Sequence, residues 1–492
     1  MERNPNERHS KLDDHVIVKG TLKTPMNHSL GESLKLTAWH INKMPEYIWL
    51  GLIFQEYGRE ETFKRVFPIL KTIAAIDDEI SSPMISKILS LSEEKQIRVY
   101  EEICNNIETS ILCPLTLIID YNSYPSFYRF FYNPSMNVKE KLDRIRGLVR
   151  KIFNHQSNEA TDIRFLAVSI LLLKGRICFH PEVQNSIEAF QKYAQTNHND
   201  PVMRLYRPTI RAFEIAIETD YTSSFSKAFW IELGDMDLCN PFYVEFDGVP
   251  MDVKFYEKTK EVMDILVSSN KHALLEGNRF ITILGLVCYS VKIFGEVLEN
   301  NLGNLILGRH ANRTIIEVYL ILKYLMLKEK EDKSIWGKYK AYGLSKYKLQ
   351  LLKSREQKYI DSHFLEPIIE AIINESVNEE FLDVDLKFFD DTNIREKSDL
   401  VSEKPLYGLS YDYDTSYVHG FWGAIRESSM LMCDNPLHKF HYVPDVTNKQ
   451  KLPDVGIEIT KNLKKIINLL NQNYRLPEQY IKEFIDDGDS ND

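Results

Sequence analysis

The stretch that most constrains this chain runs from Arg309 to Met326, R-H-A-N-R-T-I-I-E-V-Y-L-I-L-K-Y-L-M. Ile315, Ile316, Val318, Tyr319, Leu320, Ile321, Leu322, Tyr324, Leu325 and Met326 make it apolar nearly all round. A helix apolar on every side is buried, in a protein core or in a membrane. Arg309, Arg313 and Glu317 nevertheless stand at i, i+4 and i+8 and so share one face. Buried charges need partners, because an unpaired one is very costly. Two readings follow. The stripe is an internal Arg313–Glu317 pair that fixes helix register, or it faces a cleft and meets a third group there.

With 492 residues the chain exceeds one ordinary core, so two or three domains are expected. A net charge of −10 argues against a general nucleic-acid coat, though not against a local basic groove. The six cysteines are scattered with no C-x-x-C pair, as expected in a reducing compartment. The polar N-terminus carries no apolar signal region, and the uncharged runs Phe280–Val291 and Ile111–Ile119 fall short of a spanning helix. A cytoplasmic protein with no membrane association is the expectation.

Apolar residues recur at helical spacing through most of the chain, and strand-like alternation is confined to Phe242–Met251. The fold class expected is all-α. Residues 1–20 read as a flexible N-terminus and 21–235 as an N-terminal helical array. A connector follows at 236–252, where the composition shifts. Residues 253–480 read as a second helical domain, and 481–492 as an acidic tail. Within the second domain, the acidic stretch 375–403 reads as a surface excursion or mobile insert.

Four constellations could carry chemistry. Leu409–Glu427 places Ser416 and His419 at i, i+3 on one helix face. His419 is a candidate acid–base group, or else a hydrogen-bonded core histidine. From Lys328 to Tyr359, cations including Lys338, Lys346 and Lys348 interleave with rings including Trp336 and Tyr347. That mixture suits single-strand binding, and it equally suits a solvated helix with aromatic anchors. Cys433, His438 and His441 resemble half a zinc site, but no second close Cys/His pair completes it, so no metal and no cofactor are expected. Arg150-Lys-Ile-Phe-Asn-His155 offers a further Arg/His pair. Walker A, G-x-G-x-x-G, G-x-S-x-G and H-E-x-x-H motifs are absent, which removes support for the enzyme classes they mark.

Over roughly residues 255–445 the chain resembles an all-helical bacterial family of unknown function. The resemblance rests on Arg313-Thr-Ile-Ile-Glu317 and Ser416-Tyr-Val-His419-Gly420. That family looks like a distant relative of the HEPN (higher eukaryote and prokaryote nucleotide-binding) helical domains. Many of those are metal-independent ribonucleases of toxin–antitoxin and phage-defence systems, with Arg-x(4–6)-His on one helix and active sites formed across a dimer. In this chain Arg313 and His419 are on different helices. The resemblance implies a HEPN-like C-terminal domain in an RNA-directed effector of bacterial stress or phage defence. Arg313, Glu317 and His419 would be catalytic. Arg309, Ser416, Lys338, Lys346, Lys348 and Tyr347 would bind. The implied partners are RNA, a protein and a second copy of the chain. The alternative is a non-catalytic, protein-binding regulator in which the Arg–Glu–His cluster is structural.

Overall fold

A computed structural model describes residues 11–30, 38–177, 184–216, 224–248, 250–272, 277–357, 363–375, 378–384 and 389–485. The chain is all-α, 69% helical and 3% strand. It divides into two compact units. One runs to Phe242 and takes back Met432–His441; the other comprises Tyr243–Leu431 and Tyr442–Asp492. The boundary between the units falls inside the stretch expected as a connector, and residues 432–441, expected in the second domain, cluster with the first unit. Leu437 is the reason, since it is buried in that unit's core.

The first unit is built around the helix Ile48–Ile76. The sequence reads as two helices here, and the backbone does break at Gly58, where φ is +70°. Only glycine adopts that region without strain, and Thr62 Oγ1 donates to the Gly58 carbonyl one turn back (2.6 Å). Val138–Ile152 starts at Asn137, whose side chain accepts from the Glu140 N–H. Asn158–Leu173 starts at Ser157, which accepts from Ala160. Each cap satisfies a helix-start donor that would otherwise have no partner. Both helices pack against Ile48–Ile76, and Met203–Ala216 packs against Asn158–Leu173. Within the stretch expected to be a flexible N-terminus, Val16–Val18 pairs antiparallel with Thr21–Lys23. The connecting residues, Lys19 and Gly20, both have positive φ, as a two-residue hairpin turn requires. At the start of the strand-like alternation noted over Phe242–Met251, a short strand, Pro241–Phe242, pairs antiparallel with Met432–Cys433.

The second unit forms around Ile306–Lys328, the central helix. Ile315, Ile316, Leu320, Leu322 and Leu325 have no exposure at all. Asn278–Glu299 and Gly456–Asn473 pack on it from two sides. Among the described residues, Asn278–Glu299 is the one helix long and apolar enough to cross a membrane. Its Phe280, Ile283, Val287 and Phe294 lie in the unit's core.

Part of the stretch expected to be a mobile insert belongs to that same core. Phe389 and Val401 are buried there. Ile394–Leu400 is a helix closed at its start by a reciprocal Asn393/Glu396 capping box. Lys397 has no exposed side-chain surface; its ammonium pairs with Asp390 at 2.6 Å and lies over the rings of Tyr324 and Phe389. The acids of this stretch suggest a solvated loop, but Asp390 is consumed by a buried cation.

Candidate functional site

The site lies in the second unit, where the central helix meets Asp412–Val418. The chain enters that helix through a wide π turn, Tyr407–Tyr411. Such turns interrupt the regular ladder and redirect side chains. Here Tyr411 and Thr415 both reach Arg313.

Arg313 and Glu317 pair at 3.0 Å, with side chains 22% and 29% exposed. Arg313 also donates from Nη2 to the Tyr411 hydroxyl (2.6 Å) and from Nε to Thr415 Oγ1 (3.2 Å). Tyr411 OH donates onward to Glu317 Oε2 (3.1 Å). Burial, and then the Glu317 charge, push the Tyr411 hydroxyl well above its ordinary pKa, so it stays protonated as a donor. A guanidinium has five N–H groups. Three are placed by these contacts, and the partly buried head has two more.

A second polar cluster lies on the same helix pair. Asp414 is 1% exposed. It accepts from Asn312 Nδ2 at 2.8 Å, and Asn462 donates to Asn312 Oδ1 at 3.3 Å. Arg309 approaches Asp414 only to 3.9 Å and donates to the Pro453 carbonyl (2.7 Å). Burial outweighs these partners, and the Asp414 pKa is raised to about 6. Arg309, expected as a binding residue, is instead 6% exposed and packed over the Tyr413 and Tyr417 rings.

Ser416-x-x-His419-Gly420 is a helix stop. Gly420 has φ +61°. Its N–H bonds the Tyr417 carbonyl, and the Phe421 N–H bonds the Ser416 carbonyl (2.9 Å). This double bond pattern around a left-handed glycine is the Schellman motif. Ser416 acts through its carbonyl; its hydroxyl makes only a 3.5 Å contact to Asp412 O. The motif sets His419 and Phe421 on the surface, rings stacked at 5.6 Å. Phe421 and Trp422 are 57% and 62% exposed. His419 is one turn beyond Thr415, to whose carbonyl its N–H is bonded. No hydrogen bond or ion pair joins His419 to Arg313 among the described residues.

The Ile335–Gln357 helix sorts the expected cation–ring mixture into two faces. Trp336, Tyr339 and Tyr342 pack into the core, and Tyr347 remains 45% exposed. Lys338 pairs with Asp332 (2.7 Å), and Lys346 lies over Tyr342. Lys348 donates to the carbonyls of Glu379 and Leu382. Most of the rings that would stack on bases are core anchors. In the first unit, Arg150 pairs with Asp434 at 2.9 Å, and its helix ends at Ile152, before His155. The Arg150/His155 spacing therefore does not put both groups on one helix.

The expectation of no metal set needs correction as a matter of geometry. Cys433, His438 and His441 converge with Cys239, a residue 194 positions before Cys433. So remote a partner leaves no spacing pattern around Cys433 from which it can be read.

Tyr411, Thr415, Asp414, Asn312 and Asn462 escaped the sequence reading. Helical spacing gives the face each occupies but not which helix it meets. No curated protein and no solved structure matches the chain. Both halves of the site, Arg313–Glu317 and Ser416–Gly420, fall within residues 308–437, the stretch that matches a family of unknown function, DUF5677.

Proposed function

We propose that this protein is an RNA-directed effector of a bacterial stress or phage-defence system, acting in the cytoplasm. The observation that carries the reading is the surface made by the Ser416–Gly420 helix stop. It exposes His419, Phe421 and Trp422 together, and His419 lies one turn beyond Thr415, whose hydroxyl accepts from the oriented Arg313. Exposed rings stack on unpaired bases without regard to sequence. RNA cleavage through the 2′-OH needs a base near that hydroxyl and a cation for the charge on the phosphorane. His419 is the base of this proposal and Arg313 the cation, held in orientation by Glu317, Tyr411 and Thr415. Its relation to HEPN-like domains rests on the two motifs and on the all-α fold. The test is binding of a fluorescein-labelled single-stranded RNA. Wild type is expected to bind, and Phe421→Ala/Trp422→Ala to lose about 10-fold or more, since base–ring stacking contributes about 1–3 kcal/mol per base. Equal affinity in both proteins would remove the surface from the account.

A second reading is favoured by the way Arg313 is tied. Its charge is met by Glu317 at 3.0 Å, and two further donors are taken by Tyr411 and Thr415. In this reading the cluster fixes the helix pair, and the exposed Phe421/Trp422 surface docks a protein partner. Absence of RNA binding, with a specific protein captured through Trp422, would favour it.

A further inference from the structure

We infer that Cys239, Cys433, His438 and His441 form a structural zinc site within the first unit. The four ligand atoms lie within 4.8 Å of one another. Tetrahedral zinc, with Zn–S of about 2.3 Å and Zn–N of about 2.0 Å, requires S–S edges of roughly 3.8 Å and S–N edges of roughly 3.5 Å. The observed edges are 3.6 Å between the Cys239 and Cys433 sulfurs, 3.6 Å from Cys433 Sγ to His438 Nδ1, and 3.1 Å from Cys239 Sγ to His441 Nε2. Three of the six edges are thus close to those of a coordination shell, and all four ligand atoms lie within 4.8 Å of one another.

The surroundings orient these groups as the outer shell of a metal site does. His438 Nε2 faces the carbonyls of Gly234 (3.0 Å) and Asp237 (3.2 Å). Carbonyls only accept, so Nε2 carries the proton, and the lone pair of Nδ1 is left aimed at the cluster. The Asn435 N–H points at Cys433 Sγ (3.4 Å), an arrangement that favours the thiolate. Asn435 is itself fixed to Asp237 and to the Leu238 carbonyl. The Cys433 N–H bonds the His441 carbonyl (3.0 Å).

An S₂N₂ tetrahedron selects zinc among the common divalent ions. Four protein ligands leave no open position for a substrate, so the ion is structural. On binding, each thiol releases its proton to solvent and two Zn–S and two Zn–N bonds form. Two thiolates and two neutral imidazoles leave the site with no net charge. The ion fastens the returning segment 432–441 to the turn after the Ser224–Asp235 helix, closing a loop that chain continuity alone leaves open.

The test uses the full-length chain without a histidine tag, purified under reducing conditions. Elemental analysis is expected to find about one zinc per chain. Cys239→Ser and His441→Asn, both at exposed positions, are expected to retain less than about a tenth of it, and Cys104→Ser to retain all of it. Far-UV circular dichroism checks that each variant is folded. Apo wild type titrated with Co²⁺ is expected to develop tetrahedral d–d bands and a thiolate charge-transfer band, both absent from the two ligand variants. A wild-type chain that is zinc-free and takes up no cobalt after thiol reduction would overturn the proposal. So would a Cys239–Cys433 disulfide whose reduced form binds no cobalt, or ligand variants that bind metal as wild type does.

Discussion

Tyr411 stands between Arg313 and Glu317: its hydroxyl accepts from Arg313 at 2.6 Å and donates to Glu317 at 3.1 Å. The ion pair on the central helix is therefore locked by a residue from another helical segment. Removing one charge leaves the other partly buried with an incomplete shell. Glu317→Gln and Arg313→Met are each expected to lower stability by about 1–3 kcal/mol, and the double variant to lose less than the sum, because the pair shares partners. Thermal or urea melts measure this. Strict additivity would place the pair in solvent.

Asp414 gives a pH dependence with a definite sign. Burial raises its folded pKa from the ordinary carboxyl value of 3.8 to about 6. Between these values the folded state holds a proton that the unfolded state has released. Stability from this group is therefore highest below about pH 4, falls as pH rises toward 6, and is level above that. Asp414→Asn carries no such proton. The stability difference between Asp414→Asn and wild type should grow in the variant's favour from pH 4 to 6 and then stop changing. Parallel curves for the two proteins across that window would show that Asp414 is not burdened by burial.

Lys397 predicts where a protease cuts. Its ammonium joins Asp390 to the faces of Tyr324 and Phe389 inside the core, so residues 389–401 should resist limited proteolysis. Lys397→Ala should expose 389–401 to cleavage, since it leaves Asp390 buried without its cation. Early cleavage within 389–401 of the wild type would contradict the packing.

Much of the fold was legible because it is local. Helical spacing located Val253–Ser269 and Asn278–Glu299 to within a residue, while Val138–Ile152 ends three residues before the His155 to which the spacing carried it, and Gly58 marked a real break. The i, i+4 spacing placed Arg313 beside Glu317. What escaped depends on pairing across the chain. Nothing near Cys433 announces Cys239, and nothing in the spacing of Asp414 announces Asn312 or Asn462. Composition also misleads where one residue type serves two ends. The acids of 375–403 look solvated, yet one neutralises Lys397. The rings of 335–347 look like a stacking platform, yet Trp336, Tyr339 and Tyr342 are core. Ser416-x-x-His419-Gly420 was legible as a motif, but its glycine is explained by the left-handed stop and its serine by a carbonyl.

The most direct measurement incubates the purified protein with end-labelled single-stranded RNA and with DNA of the same sequence, with no added divalent ion, beside His419→Ala. The account predicts RNA fragments ending in 2′,3′-cyclic phosphate, intact DNA, and a loss of about 10²–10⁴ in rate for a folded His419→Ala. Cleavage of the DNA, full activity in His419→Ala, or RNA left whole by the wild type would contradict it.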